Sequence, residues 1–434
     1  MSGKIYFSHS LALGTYQLLF NCLGFAAAGL VPWLVGHEER VKEGFQNYLG
    51  FLPKPKSKPV IWVHGVSLGE SFVACAVMER IRQLGSSICL GFTTTHPDVL
   101  ASIRKKKIAD ILGYFPLDSF PIMFRAFSRW NPKLVIVTET DFWPMFAFLC
   151  RQRRIPLILI NGRISEKLRR FYLAIPKLGE VLFGSFDLLC VQTLLDKEKL
   201  TMMGAFPDRI KVLGNIKADV VSRSSLSNNE IFISWKKESR VIAFGSLHPM
   251  EFLLLKPILS SILKIANIKL LIAPRNIKDS IPWESDLTSA GFNAGLRSKI
   301  SISANSPSIL ILDTFGELAS LYGLSAVAFI GGSLDPKVGG HNPIEALQHD
   351  VPVIVGPHTR NFEDLLAELV QENGVSVVSN VDEFEKALRN LLFDASFAAD
   401  QIKASGLVLA RHKGALNRTI EEMTPYLEKT RKEK

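Results

Sequence analysis

The stretch "VIWVHGVSLGESFVACAVMERIRQLG", Val60 to Gly85, holds the first decision about the fold. Val60 to Val63 reads as a buried strand, and Ser71 to Leu84 has helical spacing. Between them Ser67-Leu-Gly-Glu70 fits the S-x-x-E capping box, in which the serine hydroxyl takes one orphan amide and the glutamate reaches back to another. A strand running straight into a capped helix is a βα unit. Glu70 then stands at the carboxyl edge of a sheet, where open α/β folds bind their ligands. It is open to two readings at this point, a helix cap or a catalytic base.

Outward from this unit, short β-rich runs alternate with helical patterns. "PVIWVH", "SICLGFTTT", "KLVIVTE", "PLILING" and "LLCVQT" form one series, and "RVIAFGS", "IKLLIAP", "SILILDT", "AVAFIGGS", "VPVIVGP" and "GVSVVS" a second. Such alternation argues for βαβ units and parallel sheets. The polar stretch from Gly214 to Ser239, rich in serine and asparagine, has linker composition. The 434 residues therefore divide into an amino-terminal segment 1–40, a first Rossmann-like domain 41–213, a linker 214–239 and a second Rossmann-like domain 240–434. The expected fold is α/β, two doubly wound parallel-sheet domains facing a cleft.

Composition narrows the class. The chain is 47% hydrophobic and 21% charged, a globular profile, and its net charge of +10 points to acidic partners such as anionic lipid, phosphorylated substrates or nucleic acid. The five cysteines, Cys22, Cys75, Cys89, Cys150 and Cys190, are scattered among apolar neighbours and read as reduced core thiols. No charged residue lies between Lys4 and His37, and that segment is long enough to enter or cross a bilayer as a helix. Arg40, Lys42, Lys54, Lys56 and Lys58 follow it, which places the main body on the cytoplasmic side of a membrane. A retained membrane-anchor helix is expected.

Two nucleotide signatures are absent: no G-x-G-x-x-G follows a strand, and there is no G-x-x-x-x-G-K-[ST]. There is also no D-x-D and no ligand cluster with good spacing, so no metal is expected. The strand ends of the second half carry other chemistry. After "AVAFIGG", a helix is expected with Asn342 as cap, Pro343 at its first position and Glu345 as capping-box carboxylate, a start suited to an anion and a carboxylate suited to ribose hydroxyls. "FGSLHPMEF" offers Ser246 for phosphate, "LIAPRN" offers Arg275, and "LDTFGELASLYG" offers the Gly316-Glu317-Leu318 turn for a nucleobase edge. In the first half "VTETDFWP" presents Glu139 and Asp141. "NGRISEKLRRFY" presents Arg163, Lys167, Arg169 and Arg170, a solvated helix face or a lipid-phosphate site.

The ordered set "WVHGVSLGE", "TETDFWP", "NGRIS", "GNIKAD", "LDTFGEL", "GGSL", "GGHNPIEA" and "GPHTRNF" resembles the lipid A Kdo (3-deoxy-D-manno-octulosonic acid) transferases, from the anchor to the last strands. That resemblance implies the two-domain GT-B fold and attachment to the cytoplasmic face of the inner membrane through the amino-terminal helix. It also implies inverting, metal-independent transfer of Kdo from CMP-Kdo to a lipid A precursor (lipid IVA), with no cofactor and no nucleic-acid partner. Carried over, Glu70 is the general base, and Ser246, Arg275, Gly316, Glu317, Leu318, Asn342 and Glu345 form the CMP-Kdo site. Ser67, Gly69, Glu139 and Arg163 stand on the acceptor side. Leu247 and Asn276 depart from the threonine and histidine common in the family, and Gly65 and Leu68 are small apolar swaps beside the base. Two alternatives stand beside this reading: another GT-B sugar-nucleotide enzyme (a UDP-sugar transferase or epimerase), and a non-catalytic binder of anionic lipid.

Overall fold

The structure, a computed structural model, describes residues 14, 16, 39–56, 59–85, 87–140, 142–220, 230–300, 306–360 and 362–432. The chain forms two compact units, residues 1–220 with 412–434, and residues 221–411.

The first unit is built on a seven-stranded sheet ordered β3-β2-β1-β4-β5-β6-β7. Its strands are β1 (Val60–His64), β2 (Cys89–Thr94), β3 (Ile111–Tyr114), β4 (Pro132–Thr138), β5 (Leu157–Gly162), β6 (Leu188–Val191) and β7 (Ile210–Val212), every pairing parallel. β1, β2, β5 and β6 are buried along their whole length, as expected of a parallel sheet covered on both faces, and their apolar runs are therefore continuous rather than alternating. One face packs an aromatic core in which Trp62 meets Trp130 and Phe146 edge-on at 4.7 and 4.9 Å. On the other face the helix Leu68–Gln83 buries Val73, Ala74, Val77, Met78 and Ile81, a stripe at helical spacing. Each of the larger side chains among them contributes about 1.5–3 kcal/mol by leaving water, and Ala74 less. Val77→Asp would break that seam.

The second unit repeats the plan with β8 (Arg240–Leu247), β9 (Ile268–Pro274), β10 (Ala294–Leu296), β11 (Ile309–Ile311), β12 (Ser325–Ile330), β13 (Val353–Val355) and β14 (Ser376–Val377), ordered β10-β11-β9-β8-β12-β13-β14 and again wholly parallel. In the first sheet the strand order reverses between β1 and β4; in the second it reverses between β8 and β12, with β11 also inserted between β10 and β9.

Two boundaries differ from the expected ones. Residues 412–434 group with the first unit rather than with a second domain 240–434. The reason is the stripe Ala415, Ile420, Met423 and Leu427 of the helix Ala415–Lys432, which completes the core over Leu68–Gln83. Asp219 reinforces it by accepting from the Gly414 and Leu416 amides at 2.7 and 2.8 Å. The expected linker 214–239 also begins and ends inside folded structure. Asn215, Ile216 and Ala218 are buried in the first unit, and Phe232 and Trp235 in the second. The expected anchor helix falls outside the described residues apart from Gly14 and Tyr16. Among the described residues no helix is long and apolar enough to cross a membrane. Cys75, Cys89, Cys150 and Cys190 are buried, as their apolar neighbours predicted.

Candidate functional site

Open α/β sheets bind ligands outside the carboxyl ends of their strands where the order reverses, and the residues singled out in each half follow the carboxyl ends of strands at or near that point of their own sheet. In the first unit Glu70 follows β1 and Glu139 follows β4. Ser67 caps the helix Leu68–Gln83: its hydroxyl accepts from the Glu70 amide at 3.1 Å and donates to Glu70 Oε1 at 2.9 Å. The return half of the expected capping box is shifted by one residue. Glu70 Oε2 accepts from the Val66 amide at 2.8 Å, not from Ser67. Thr138, the last residue of β4, brings its hydroxyl to within 3.0 Å of the His64 carbonyl and 3.3 Å of Glu70 Oε2. Gly65 makes room for it, because a Cβ there would stand 2.5 Å from Thr138 Oγ1. A carboxylate has about four acceptor positions, so the buried Glu70, fixed from two sides, keeps capacity for a further donor.

Glu139 leaves β4 with φ of 53°. Its Oε1 accepts from Asn161 Nδ2 at 3.1 Å and meets Lys217 Nζ at 2.6 Å, the pair being only 9% and 12% exposed. Asn161 in turn accepts from the Ile216 amide at 2.8 Å. The motifs around Glu139, Asn161 and Lys217 are thus one network; neither its members Asn161 and Lys217 nor Thr138 beside Glu70 were anticipated as site residues. The signal for them was the lysine inside "GNIKAD", read as linker because polar residues at a strand-end turn and polar residues in a linker look alike. Arg163 is half-buried just past β5. Gly69 lies in the first turn of Leu68–Gln83. Arg169 and Arg170 pair with Glu166 at 2.5 and 3.2 Å, so part of the basic run is internally compensated. Asp141 falls outside the described residues.

In the second unit β8 ends in a bulge: its register against β9 shifts between Phe244 and Leu247, and Ser246 takes φ of 53°. The Leu247 side chain is buried while its carbonyl accepts from the Arg275 amide at 2.9 Å, which leaves the Arg275 side chain exposed beyond β9. Asn276 caps the turn after it, accepting from the Lys278 amide at 3.1 Å. Glu251, fully buried, accepts from the amides of His248 (3.1 Å), Gly332 (2.7 Å) and Leu334 (2.9 Å) and so ties the β8 loop to the β12 loop. It was not anticipated, although H-P-x-E has the spacing of a capping box. Asn342 Oδ1 accepts from the Ile344 amide at 3.1 Å, but the helix that follows is the single turn Ile344–Leu347, with Pro343 rather than Asn342 at the cap position. The longer boxed helix expected there is not formed. Glu345 sits half-buried in that turn and its charge helps push the buried Tyr322 hydroxyl upward in pKa, after burial itself. Gly316 is in the left-handed region with open space around it, and the Glu317 carboxylate is held by Arg297 at 3.0 Å and by the Thr314 hydroxyl. The Gly316-Glu317-Leu318 turn therefore offers its backbone, not the Glu317 charge. Among the described residues no group of three or more His, Cys, Asp or Glu is placed to hold a metal ion.

Known proteins share this architecture. A family model described as 3-Deoxy-D-manno-octulosonic-acid transferase (kdotransferase) matches residues 43–220. The 3-deoxy-D-manno-octulosonic acid transferase of Haemophilus influenzae is 30% identical over 399 residues, 90% of this chain and 93% of that protein. The enzyme of the same name from Chlamydia muridarum is 30% identical over 354 residues, 79% of this chain and 80% of that one. Among solved structures, UDP-GlcNAc 2-epimerase from Neisseria meningitidis shares the fold, with a TM-score of 0.56 over 85% of this chain and 100% of that one at 15% identity. With its two doubly wound units of GT-B type, the chain belongs to the 3-deoxy-D-manno-octulosonic acid transferase family of glycosyltransferases.

Proposed function

We propose that the chain transfers Kdo from CMP-Kdo to a lipid A precursor, lipid IVA, by a single inverting displacement with Glu70 as general base. The observation that carries this reading is the Glu70 carboxylate, held by the Val66 amide and the Ser67 hydroxyl at the reversal point of the first sheet. As the acceptor oxygen attacks the anomeric carbon its proton passes to Glu70. The bond from that carbon to the phosphate oxygen breaks, and CMP leaves with the electron pair. CMP is a good leaving group, so positioning and proton removal are what the protein must supply. Glu139, with Lys217 and Asn161 behind it, and Arg163 support the acceptor side.

Donor binding falls to the second unit, where Ser246 and Arg275 suit the phosphate, Asn342 and Glu345 the ribose, and the Gly316-Glu317-Leu318 backbone the base. One phosphate facing a fixed guanidinium needs no cation to hold it, which supports metal-independent transfer with no cofactor. An assay with CMP-Kdo and lipid IVA, read by mass spectrometry, tests the whole reading: loss of the acceptor mass without gain of Kdo, or turnover of UDP-sugars instead, would replace it with another GT-B activity.

Attachment to the cytoplasmic face of the inner membrane belongs to the same proposal. It is supported by the surface of the helix Phe120–Trp130. That helix exposes Phe120 and Phe124. Arg153 lies over Phe124 at 4.6 Å, and Arg125 over Phe51 at 4.4 Å. Exposed aromatics with arginines across them suit an anionic headgroup layer. Sedimentation with anionic vesicles should pull down the full chain, and not a variant lacking residues 1–36.

A further inference from the structure

At the reversal point of the second sheet, the loops after β8 and β12 are bridged by two imidazoles. His248 and His341 stack with ring centroids 5.0 Å apart and planes 5° from parallel, and their Nε2 atoms are 2.7 Å apart. Two nitrogens at that distance must share a hydrogen. One ring donates from Nε2 while the other accepts there, which forces opposite tautomers on the two rings. The backbone fixes this arrangement. The His341 amide donates to the Gly331 carbonyl at 3.1 Å, the Gly340 amide to the Gly332 carbonyl at 2.7 Å, and the His248 amide to Glu251 at 3.1 Å. Gly332, at φ 72°, is bare where a Cβ would stand 2.9 Å from the His341 ring.

Such a pair holds a second proton well. It enters at Nδ1 of the donating ring and turns the N–H···N bond into a charge-assisted one. Two things oppose it: burial, and after that the Arg275 charge, which together with His248 hold His341 down to about 3. The other ionisable groups on the surrounding elements do not supply the missing negative charge. Glu251 is committed to three amides. Glu345 lies in the next turn and acts on Tyr322, Asp335 accepts from the Lys337 amide, and Arg360 donates to the Lys337 carbonyl. An anion arriving at Arg275 offsets the guanidinium charge that holds the pair neutral.

We propose that His248 and His341 act as one proton-accepting unit that takes a proton from solvent when the phosphate of the nucleotide binds beside Arg275, so that the phosphate meets an imidazolium. This rests on the reading of the second unit as the CMP-Kdo site. In transfer, the anomeric C–O bond breaks with its electron pair moving to the phosphate. The imidazolium opposes the charge that develops there, and its proton leaves with the phosphate monoester, whose second pKa of about 6 suits that exchange. The pair is then neutral again.

The test is calorimetric titration of the full chain with CMP, and with cytidine as the phosphate-free control, in two buffers of different ionisation enthalpy between pH 6.5 and 7.5. CMP binding should take up roughly half a proton or more per site and cytidine none. In His341→Asn and His248→Gln the uptake should vanish. CMP affinity should drop about tenfold at pH 6.5 and less at pH 8, with cytidine affinity unchanged. The wild-type comparison of CMP with cytidine stands even where a variant fails to fold. CMP binding with no phosphate-dependent uptake overturns the proton-coupled pair alone, whereas no CMP binding at all overturns the donor-site reading and the pair with it.

Discussion

Replacing Glu70 by glutamine separates the two jobs that the carboxylate holds. It accepts from the Val66 amide at 2.8 Å and the Ser67 hydroxyl at 2.9 Å, with the Thr138 hydroxyl at 3.3 Å. A glutamine whose oxygen stays on the Val66 amide turns its NH₂ towards Ser67 Oγ, a hydroxyl that accepts as well as donates. One charge-assisted bond becomes neutral and one reverses direction, at a cost of about 1–2 kcal/mol. The helix keeps its cap, because the bond from the Glu70 amide to Ser67 uses only the backbone of residue 70. Stability should therefore fall modestly and CMP affinity should hold. An amide cannot take a proton, however, so the initial rate with CMP-Kdo and lipid IVA should fall by about two to four orders of magnitude. Ser67→Ala is the complementary perturbation. It removes the cap and one carboxylate partner together, costs about 1 kcal/mol, and leaves the base in place, so its rate loss should be far smaller. Thermal melts, CMP titration and initial rates on both variants give the comparison. A stable Glu70→Gln protein with near-normal turnover would refute the base assignment and leave Glu70 as a structural tie between β1 and its helix.

Three further outcomes are expected. Glu345→Gln should weaken CMP binding by about 1.5–3 kcal/mol, roughly tenfold to a hundredfold, measured by titration; unchanged affinity would remove Glu345 from the ribose site. Transfer from preformed CMP-Kdo should survive excess chelator, and activity lost to chelator and restored by magnesium would contradict the metal-independent reading. His64, fully buried and held down to about 3 chiefly by burial against an opposing bond to the Thr93 carbonyl, stays neutral in the fold while the unfolded chain protonates near 6.5. Its contribution is therefore flat above pH 6.5 and turns destabilising as pH falls below it, by about 2.5 kcal/mol at pH 4.5. Asp118, pushed up to about 6 by burial, works in the opposite sense but is common to both chains. The stability gap between the wild type and His64→Asn, from denaturant melts, should narrow by that amount between pH 7 and pH 4.5.

The central strands of both sheets were legible in the sequence because burial on both faces writes an uninterrupted apolar run. β3, β7 and β10 were not, and each is an edge strand of three or four residues. An edge strand needs neither length nor full burial, so its sequence can look like loop, although the edge strand β14 was read from "GVSVVS". The helix Ala415–Lys432 was assigned by proximity in sequence to the second domain, yet its stripe shows only that some core covers it, not which. At the site, motifs at strand ends could be found one at a time, but which side chains meet is decided by strand order. Lys217, in the turn after β7, reaches Glu139 at the end of β4 although β5 and β6 lie between those two strands, and no local pattern encodes that. His248 and His341 are separated by 93 positions and become partners only because β12 returns to β8.

The strain in the backbone tells the same story from the energetic side. Several of the non-glycine residues in the left-handed region end helices, such as Lys107 and Asn131, where that conformation closes a cap. Glu139, Asn161 and Ser246 do not. Each has φ of 53° at the carboxyl end of a strand next to, or one strand from, a reversal point. Such a conformation costs on the order of 1 kcal/mol or more at a non-glycine residue, and glycine would relieve it wherever only the turn mattered. What a glycine cannot supply is the side chain: a carboxylate at 139, an amide at 161, a hydroxyl at 246. The buried Glu139–Lys217 pair adds to the argument, since an apolar pair of similar volume is often as stable or more so. Folding alone gives no reason to keep left-handed polar residues and a buried ion pair at these strand ends, whereas the proposed transfer site, which must hold charged groups in fixed directions, does.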